Sequence, residues 1–244
     1  MSEFRAYPVW DASTRWFHWI NVLCVIGLVG IGTTIIFANT IGASDAGKVT
    51  LKTVHVYIGY VFTLNLIWRF VWAFMGNRYA RWRSILPGGK GYFHALRSYV
   101  TAFISGPPEN YLGHNPVGRI GVTVLLVLMT IQAVSGLVLA GTDLFFPPFG
   151  HWIAQWVAAP GIAPSTLVPY APDMYDSVAW DAMRAFRSPF ITVHEISFYV
   201  LLIFIVVHVA GVIITEKREG GSLISAMFTG EKVMRGEPVD KTDD

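Results

Sequence analysis

Four long apolar blocks predict an all-α membrane protein, a bundle of four transmembrane helices forming one domain over residues 1–244. Three observations carry this. Of the 244 residues 53% are hydrophobic and only 14% charged. The apolar residues fall in blocks at about 17–38, 54–76, 118–141 and 190–214, each reaching the ~20 residues a helix needs to cross a hydrocarbon layer. Trp16, Trp19, Tyr57, Tyr60, Trp68 and Trp72 crowd the block ends, where amphipathic rings sit at headgroup level. In lipid the backbone must satisfy its own hydrogen bonds, so these blocks are helices rather than open strands.

The first block follows a polar lead-in, Met1–Arg15, in which Asp11 and Ser13 are suited to cap a helix. The block is too long for a signal core and lacks a small-residue cleavage site, so it reads as an uncleaved span. Gly27, Gly30 and Gly32 mark close packing against a neighbouring helix. Asn39–Lys52 is a polar turn, and the second block then opens with LKTVHVYIGY, placing His55 about one turn inside and Gly59 on the same face. The connection 76–116 is basic, and apolar residues at helical spacing over Tyr92–Ile104 predict an amphipathic helix lying on the membrane. GHNPVGR precedes the third block, with Pro116 fitted to a first helical turn. The connection 141–188 is long and rich in proline and aromatics, the form of a docking surface. After Thr215 the tail is charged and reads as mobile.

Orientation follows from the 18 Lys and Arg residues. With both termini cytoplasmic, thirteen lie on the inner side and four (Lys48, Lys52, Arg184, Arg187) on the outer, Arg69 being inside the second span. Cys24 is the single cysteine, which excludes an internal disulfide, a Cys-ligated cluster and covalent CxxCH haem attachment. The net charge of +2 gives no footprint for nucleic acid.

The histidines carry the chemistry. His194 and His208 lie fourteen residues apart in the last block, which returns them to within roughly 40° of one helix face and about 21 Å apart along it. His18 opens the first span and His55 the second. Depth then pairs His55 with His194 near the outer surface and His18 with His208 near the inner. Intramembrane imidazoles are costly and default to function; each pair suits the two axial positions of one iron porphyrin, a six-coordinate arrangement that favours electron transfer. Gly211, three residues after His208, leaves room for a ring. Arg15 and Lys52, each three residues before a ligand histidine, are placed to meet haem propionates. His114, Asn115 and Arg119 sit beside the inner pair and are candidates to bind a quinone carbonyl or relay protons, while His94 and His151 read as surface residues.

RWFHW at Arg15–Trp19 resembles the R-x-x-H-W motif that opens the b-type cytochrome subunit of membrane-bound nickel–iron hydrogenases. VHEISFYVLLIFIVVHVAG resembles that family's fourth helix, and HVYIGY and HNPVGR also fit. The same histidine frame occurs in the gamma subunit of formate dehydrogenase. The resemblance implies two non-covalent haems b, ligated by His55 with His194 and by His18 with His208. It further implies an iron–sulfur small subunit and a nickel–iron large subunit docked on the periplasmic side of the bacterial inner membrane. Electrons would pass from hydrogen, oxidised by those partners, to the quinone pool of a respiratory chain; this chain itself would not activate hydrogen. The competing readings are the equivalent subunit of another periplasmic oxidoreductase such as formate dehydrogenase, a redox-silent anchor, and a transporter with a histidine proton relay.

Overall fold

The computed structural model describes residues 4–106 and 108–241. In chain order the elements are β1 (Phe4–Pro8), α1 (Ala12–Ile36), α2 (Asp45–Met75), α3 (Trp82–Ile85), α4 (Tyr92–Ser105), α5 (Pro116–Leu144) and α6 (Gly150–Val157). Two short 3-10 turns (Pro164–Thr166, Pro172–Met174), α7 (Ser177–Glu219), α8 (Leu223–Thr229) and β2 (Glu231–Arg235) complete the chain. Four of these, α1, α2, α5 and α7, are long and apolar enough to cross a membrane. Leu23, Ile26, Leu64, Phe74 and Val206 on these helices are each at least 65% exposed. In water such surface would be unfavourable by about 25 cal/mol per Å², whereas acyl chains cover it without cost.

The helix starts are set by caps. Asp11 Oδ1 accepts the Thr14 N–H at 2.7 Å and begins α1, as its sequence position implies. Burial raises the Asp11 carboxyl, but hydrogen bonds from Thr14, Trp72 and Asn77 outweigh it and hold the group below the usual carboxylate range. Ser44 Oγ accepts the Gly47 N–H at 3.1 Å, so α2 starts at Asp45 rather than at residue 54 and absorbs part of the expected polar turn. Asn115 Oδ1 accepts the Gly118 N–H at 2.7 Å ahead of Pro116 and begins α5. α4 matches the expected amphipathic helix: Tyr92 and Tyr99 are buried while Phe93 and Ile104 are exposed.

Two expectations need correction. α7 starts at Ser177, well before residue 190, because Asp176 Oδ1 caps the Ala179 N–H at 2.9 Å and the helix runs on through Pro189. A proline removes one helical hydrogen bond, but packing on the N-terminal side of it holds the helix together. Met183 and Tyr175 are buried with Ile153, Ala154, Val157 and Leu167, and the Tyr175 and Trp180 rings stack at 4.2 Å. The long connection is therefore largely helix and core. The tail is the second correction. It is ordered through Lys241, with β2 antiparallel to β1 in the register Phe4↔Arg235 to Pro8↔Glu231. Gly230, at φ +88°, lets its carbonyl accept the Val9 N–H at 2.8 Å; a Cβ there would meet the Trp10 carbonyl. The first three residues of the lead-in and the last three of the tail lie outside the described residues.

The chain divides into two compact units. One comprises residues 1–20, 66–128 and 201–244, the other residues 21–65 and 129–200. Each of the four long helices contributes a segment to both.

Candidate functional site

In the unit formed by residues 21–65 and 129–200, α2 and α7 bring His55 and His194 to a ring-centroid separation of 6.4 Å, with the planes at 75°. Two metal–nitrogen bonds of about 2.0 Å, each with ~1.1 Å from nitrogen to ring centre, put two imidazoles roughly 6 Å apart across one ion. The observed gap fits that distance. Small residues set the rings there: a Cβ on Gly32 would lie 3.3 Å from His55 Cε1, and one on Gly136 would lie 3.2 Å from His194 Cε1. Gly59 has open space where a side chain would stand, as a flat ring against α2 requires.

The tautomer of His194 follows from its partner. Ser135 Oγ–H donates to the Ile131 carbonyl at 2.6 Å, so at 2.8 Å its oxygen accepts the Nδ1–H of His194. That leaves the Nε2 lone pair free as a ligand, the second-shell arrangement that metal-bound imidazoles need. Gln132 Nε2 donates to the His194 carbonyl at 2.8 Å and to Ser197 Oγ at 3.0 Å, fixing α5 against this turn of α7. Sequence reading passed over Gln132 and Ser135 because α5 has no histidine. The signal was present: polar side chains inside an apolar span are expensive.

Lys52, expected near a propionate, donates to Asp143 Oδ2 at 2.6 Å, and Asp143 also pairs with Arg187. Lys52 further lies over the Tyr170 ring at 5.4 Å. Two cations around one acid leave this half-buried cluster with one net positive charge.

The other unit holds His18 and His208, which lie within electrostatic reach of each other. His18 Nδ1 is buried and takes no hydrogen bond, and the ring meets Trp19 edge-on at 5.1 Å. Gly211 faces open space. Arg15 donates to the Phe228 carbonyl while its Nε is buried without a partner. His114 packs against Trp10 at 5.0 Å with Nδ1 covered and unpartnered. Burial, then the cations Arg69 and Lys232, push its pKa down to about 3, so it is neutral at physiological pH. Asn115, besides capping α5, donates to the Tyr99 hydroxyl at 2.7 Å. Arg119 is tied to the carbonyls of Arg83, Leu86 and Gly88 and lies over the Tyr92 ring. Its role in this fold is to hold the connection between α2 and α4.

Fold and site together define a four-span, predominantly helical integral membrane protein with the histidines of its spans in two groups. The chain belongs to the prokaryotic cytochrome b561 family, which matches residues 9–230. Membership makes it a b-type cytochrome, and electron transport its class of work. Among its relatives is a protein of Bradyrhizobium diazoefficiens named as a probable Ni/Fe-hydrogenase B-type cytochrome subunit, 25% identical over 93% of this chain and 86% of the relative. A likewise named protein of Azotobacter vinelandii is 24% identical over 96% of this chain and 92% of its own length. A probable Ni/Fe-hydrogenase 1 B-type cytochrome subunit of Escherichia coli is 28% identical over 60% of this chain and 66% of its own. No solved structure matches the chain.

Proposed function

We propose that this chain is the membrane anchor and electron-transfer subunit of a nickel–iron hydrogenase, holding two haems b and serving the quinone pool. The observation that carries the reading is the 6.4 Å approach of His55 and His194, one ring locked in the metal-binding tautomer by Ser135. The names of the relatives support the hydrogenase assignment. A haem, when bound, would supply a one-electron couple for electron transfer.

The residues of the chain do the rest. His55 and His194 hold one haem and His18 and His208 the other. The Lys52–Asp143–Arg187 cluster, with its net positive charge, opposes propionates beside the first pair, and the unpartnered Nε of Arg15 does so beside the second. Neutral His114 and Asn115 bind the quinone carbonyl, and Arg119 shapes that pocket by fixing the preceding loop. The distribution of Lys and Arg supports termini in the cytoplasm, the His55 pair on the periplasmic side of the inner membrane and the quinone site on the cytoplasmic side. The iron–sulfur small subunit and the nickel–iron large subunit dock on the periplasmic face and oxidise hydrogen.

Purification of the tagged chain from membranes tests this directly. A reduced-minus-oxidised spectrum with b-type bands at two haems per chain, together with co-purifying hydrogenase subunits, is the expected result. A colourless preparation, or one carrying a different oxidoreductase, would overturn it.

A further inference from the structure

Reduction of a quinone consumes two protons as well as two electrons, and the unit that holds His114 and Asn115 contains ionisable groups that haem ligation does not use. α7 ends on Glu219, an acid at the negative end of a helix dipole, where a carboxylate is disfavoured. The Tyr99 hydroxyl donates to Glu219 Oε1 at 2.8 Å, and Asn115 Nδ2 donates to the same oxygen at 3.3 Å and to the Tyr99 hydroxyl at 2.7 Å. Tyr99 is 3% exposed. Burial and the adjacent Glu219 raise its phenol far above the ordinary range, so it keeps its proton and acts only as a hydroxyl that passes one on.

On the far side of this triangle stands Lys232, 2% exposed, donating to the Tyr111 carbonyl at 2.5 Å. Lys232 and Asp240 both lie within electrostatic reach of Glu219. Burial lowers the Lys232 ammonium, opposed by those two acids, which makes it a readier proton donor than a surface lysine. Tyr111 packs its ring 5.9 Å from that of Tyr99, and its hydroxyl donates to Glu109, which is exposed. Lys232, Glu219, Tyr99 and Asn115 thus form one polar group that includes the residue assigned to the quinone carbonyl, with Tyr111 and the exposed Glu109 beside it. A purely structural tail anchor would not need a buried ammonium beside a half-buried acid, since apolar packing is often as stable as an ion pair.

We propose that Glu219 is the proton donor for quinone reduction, acting through the Tyr99 hydroxyl and recharged from Lys232; the inference rests on the quinone site proposed above. In each transfer the Glu219 O–H bond breaks, Tyr99 takes that proton on its oxygen and releases its own, and a new O–H bond forms on the quinone oxygen. The carboxylate left behind takes a proton from the Lys232 ammonium, and the resulting amine takes one from solvent. Two such transfers, with two electrons delivered from hydrogen oxidised by the partner subunits, convert quinone to quinol.

The test uses the intact complex with hydrogen as reductant and two acceptors: decylubiquinone, which takes protons, and ferricyanide, which takes electrons alone. Glu219→Gln keeps the hydrogen-bonding shape and removes the acid. The expected result is a loss of decylubiquinone reduction of about tenfold or more, with both haem spectra retained. A carboxylic C=O band also disappears from the redox-induced infrared difference spectrum, and Glu219→Asp restores part of the rate. Equal decylubiquinone turnover in Glu219→Gln and the parent overturns the proposal. A parallel fall with ferricyanide does so too, since protons would then not be what is missing. If Glu219→Gln loses its haems, Tyr99→Phe decides the matter: quinone turnover unchanged in that variant overturns the relay. A parent preparation without b-type bands would instead remove the reading on which the inference rests.

Discussion

Around His55 and His194 the fixing groups are neutral: Ser135 on the imidazole, Gln132 on the backbone, and glycines against both rings. The half-buried charges Lys52, Asp143 and Arg187 of this unit form one ion cluster in which every member has a partner. The unit that holds His18 and His208 buries Arg69 and Lys232 almost completely and places Glu219, Asp240 and His114 within reach of Lys232. Buried ionisable groups cost several kcal/mol unless they are paired or used. The contrast fits a division of labour in which the first unit handles electrons alone and the second handles electrons with protons.

The heaviest blow to this comparison is loss of a ligand in the first unit. His194→Ala or His55→Ala is expected to remove one of two haems, halving the b-type absorbance, and to abolish hydrogen-to-quinone electron flow while the chain still inserts in the membrane. Haem quantitation on the purified variants checks this. Complete loss of both haems, or retention of both, contradicts the pairing.

Next in size is Asn115→Asp, which keeps the oxygen that caps α5 but replaces the amide donor to Tyr99 and Glu219 with a second acid. The cap alone is worth about 1 kcal/mol and survives, so haem content and thermal stability stay close to the parent while quinone reduction falls by about tenfold. Unchanged quinone kinetics would take Asn115 out of the site. It would also leave the buried charges of this unit without the proton role that sets it apart.

The spans, and the approach of His55 to His194, were legible in the sequence because both depend on local pattern. Apolar blocks long enough for lipid gave α1, α2, α5 and α7, Asp11 and Pro116 marked two helix starts, and depth arithmetic set His55 opposite His194, whose rings the structure holds 6.4 Å apart. The start of α7 was misplaced because the apolar block begins only near residue 190, whereas Trp180, Met183 and Tyr175 supply packing that holds the helix from Ser177 through Pro189. β1 and β2 were illegible for another reason. They are five-residue strands with polar faces, joined across more than two hundred residues, and Lys232 in β2 points inward where a charged side chain is expected to face out. Glu219 and Asp143 likewise acquire meaning only from partners far away in the chain.

Asp143→Ala comes next, because it leaves Lys52 and Arg187 facing each other with no acid between them. Since the cluster is half-buried, the expected cost is about 1–3 kcal/mol, read as a lower midpoint in thermal unfolding of the detergent-solubilised protein. With both cations freed, a propionate beside His55 gains rather than loses attraction, so the haem of this unit stays bound. A variant as stable as the parent would show the cluster to be incidental.

The smallest effect is the most diagnostic of how the two units differ. Ser135→Ala removes the acceptor of the His194 Nδ1–H and, besides it, only the hydroxyl's donor bonds to carbonyls of its own helix. The imidazole keeps its place against Gly136, so two haems per chain remain, with the affinity of the altered one reduced by a factor of about five for a hydrogen bond worth roughly 1 kcal/mol. An Nδ1–H that donates pushes electron density onto the ring and through Nε2 to the metal, stabilising the oxidised form. Its loss therefore raises the midpoint potential of this haem. That makes His194 resemble His18, whose Nδ1 is buried without an acceptor, so the variant narrows the gap between the two potentials if the His55 haem is the lower one and widens it if it is the higher. A redox titration resolves both components. A fall in potential, or a shift in the other haem alone, would sink the tautomer assigned to His194 and with it the structural reason for treating the first unit as the fixed, neutral one.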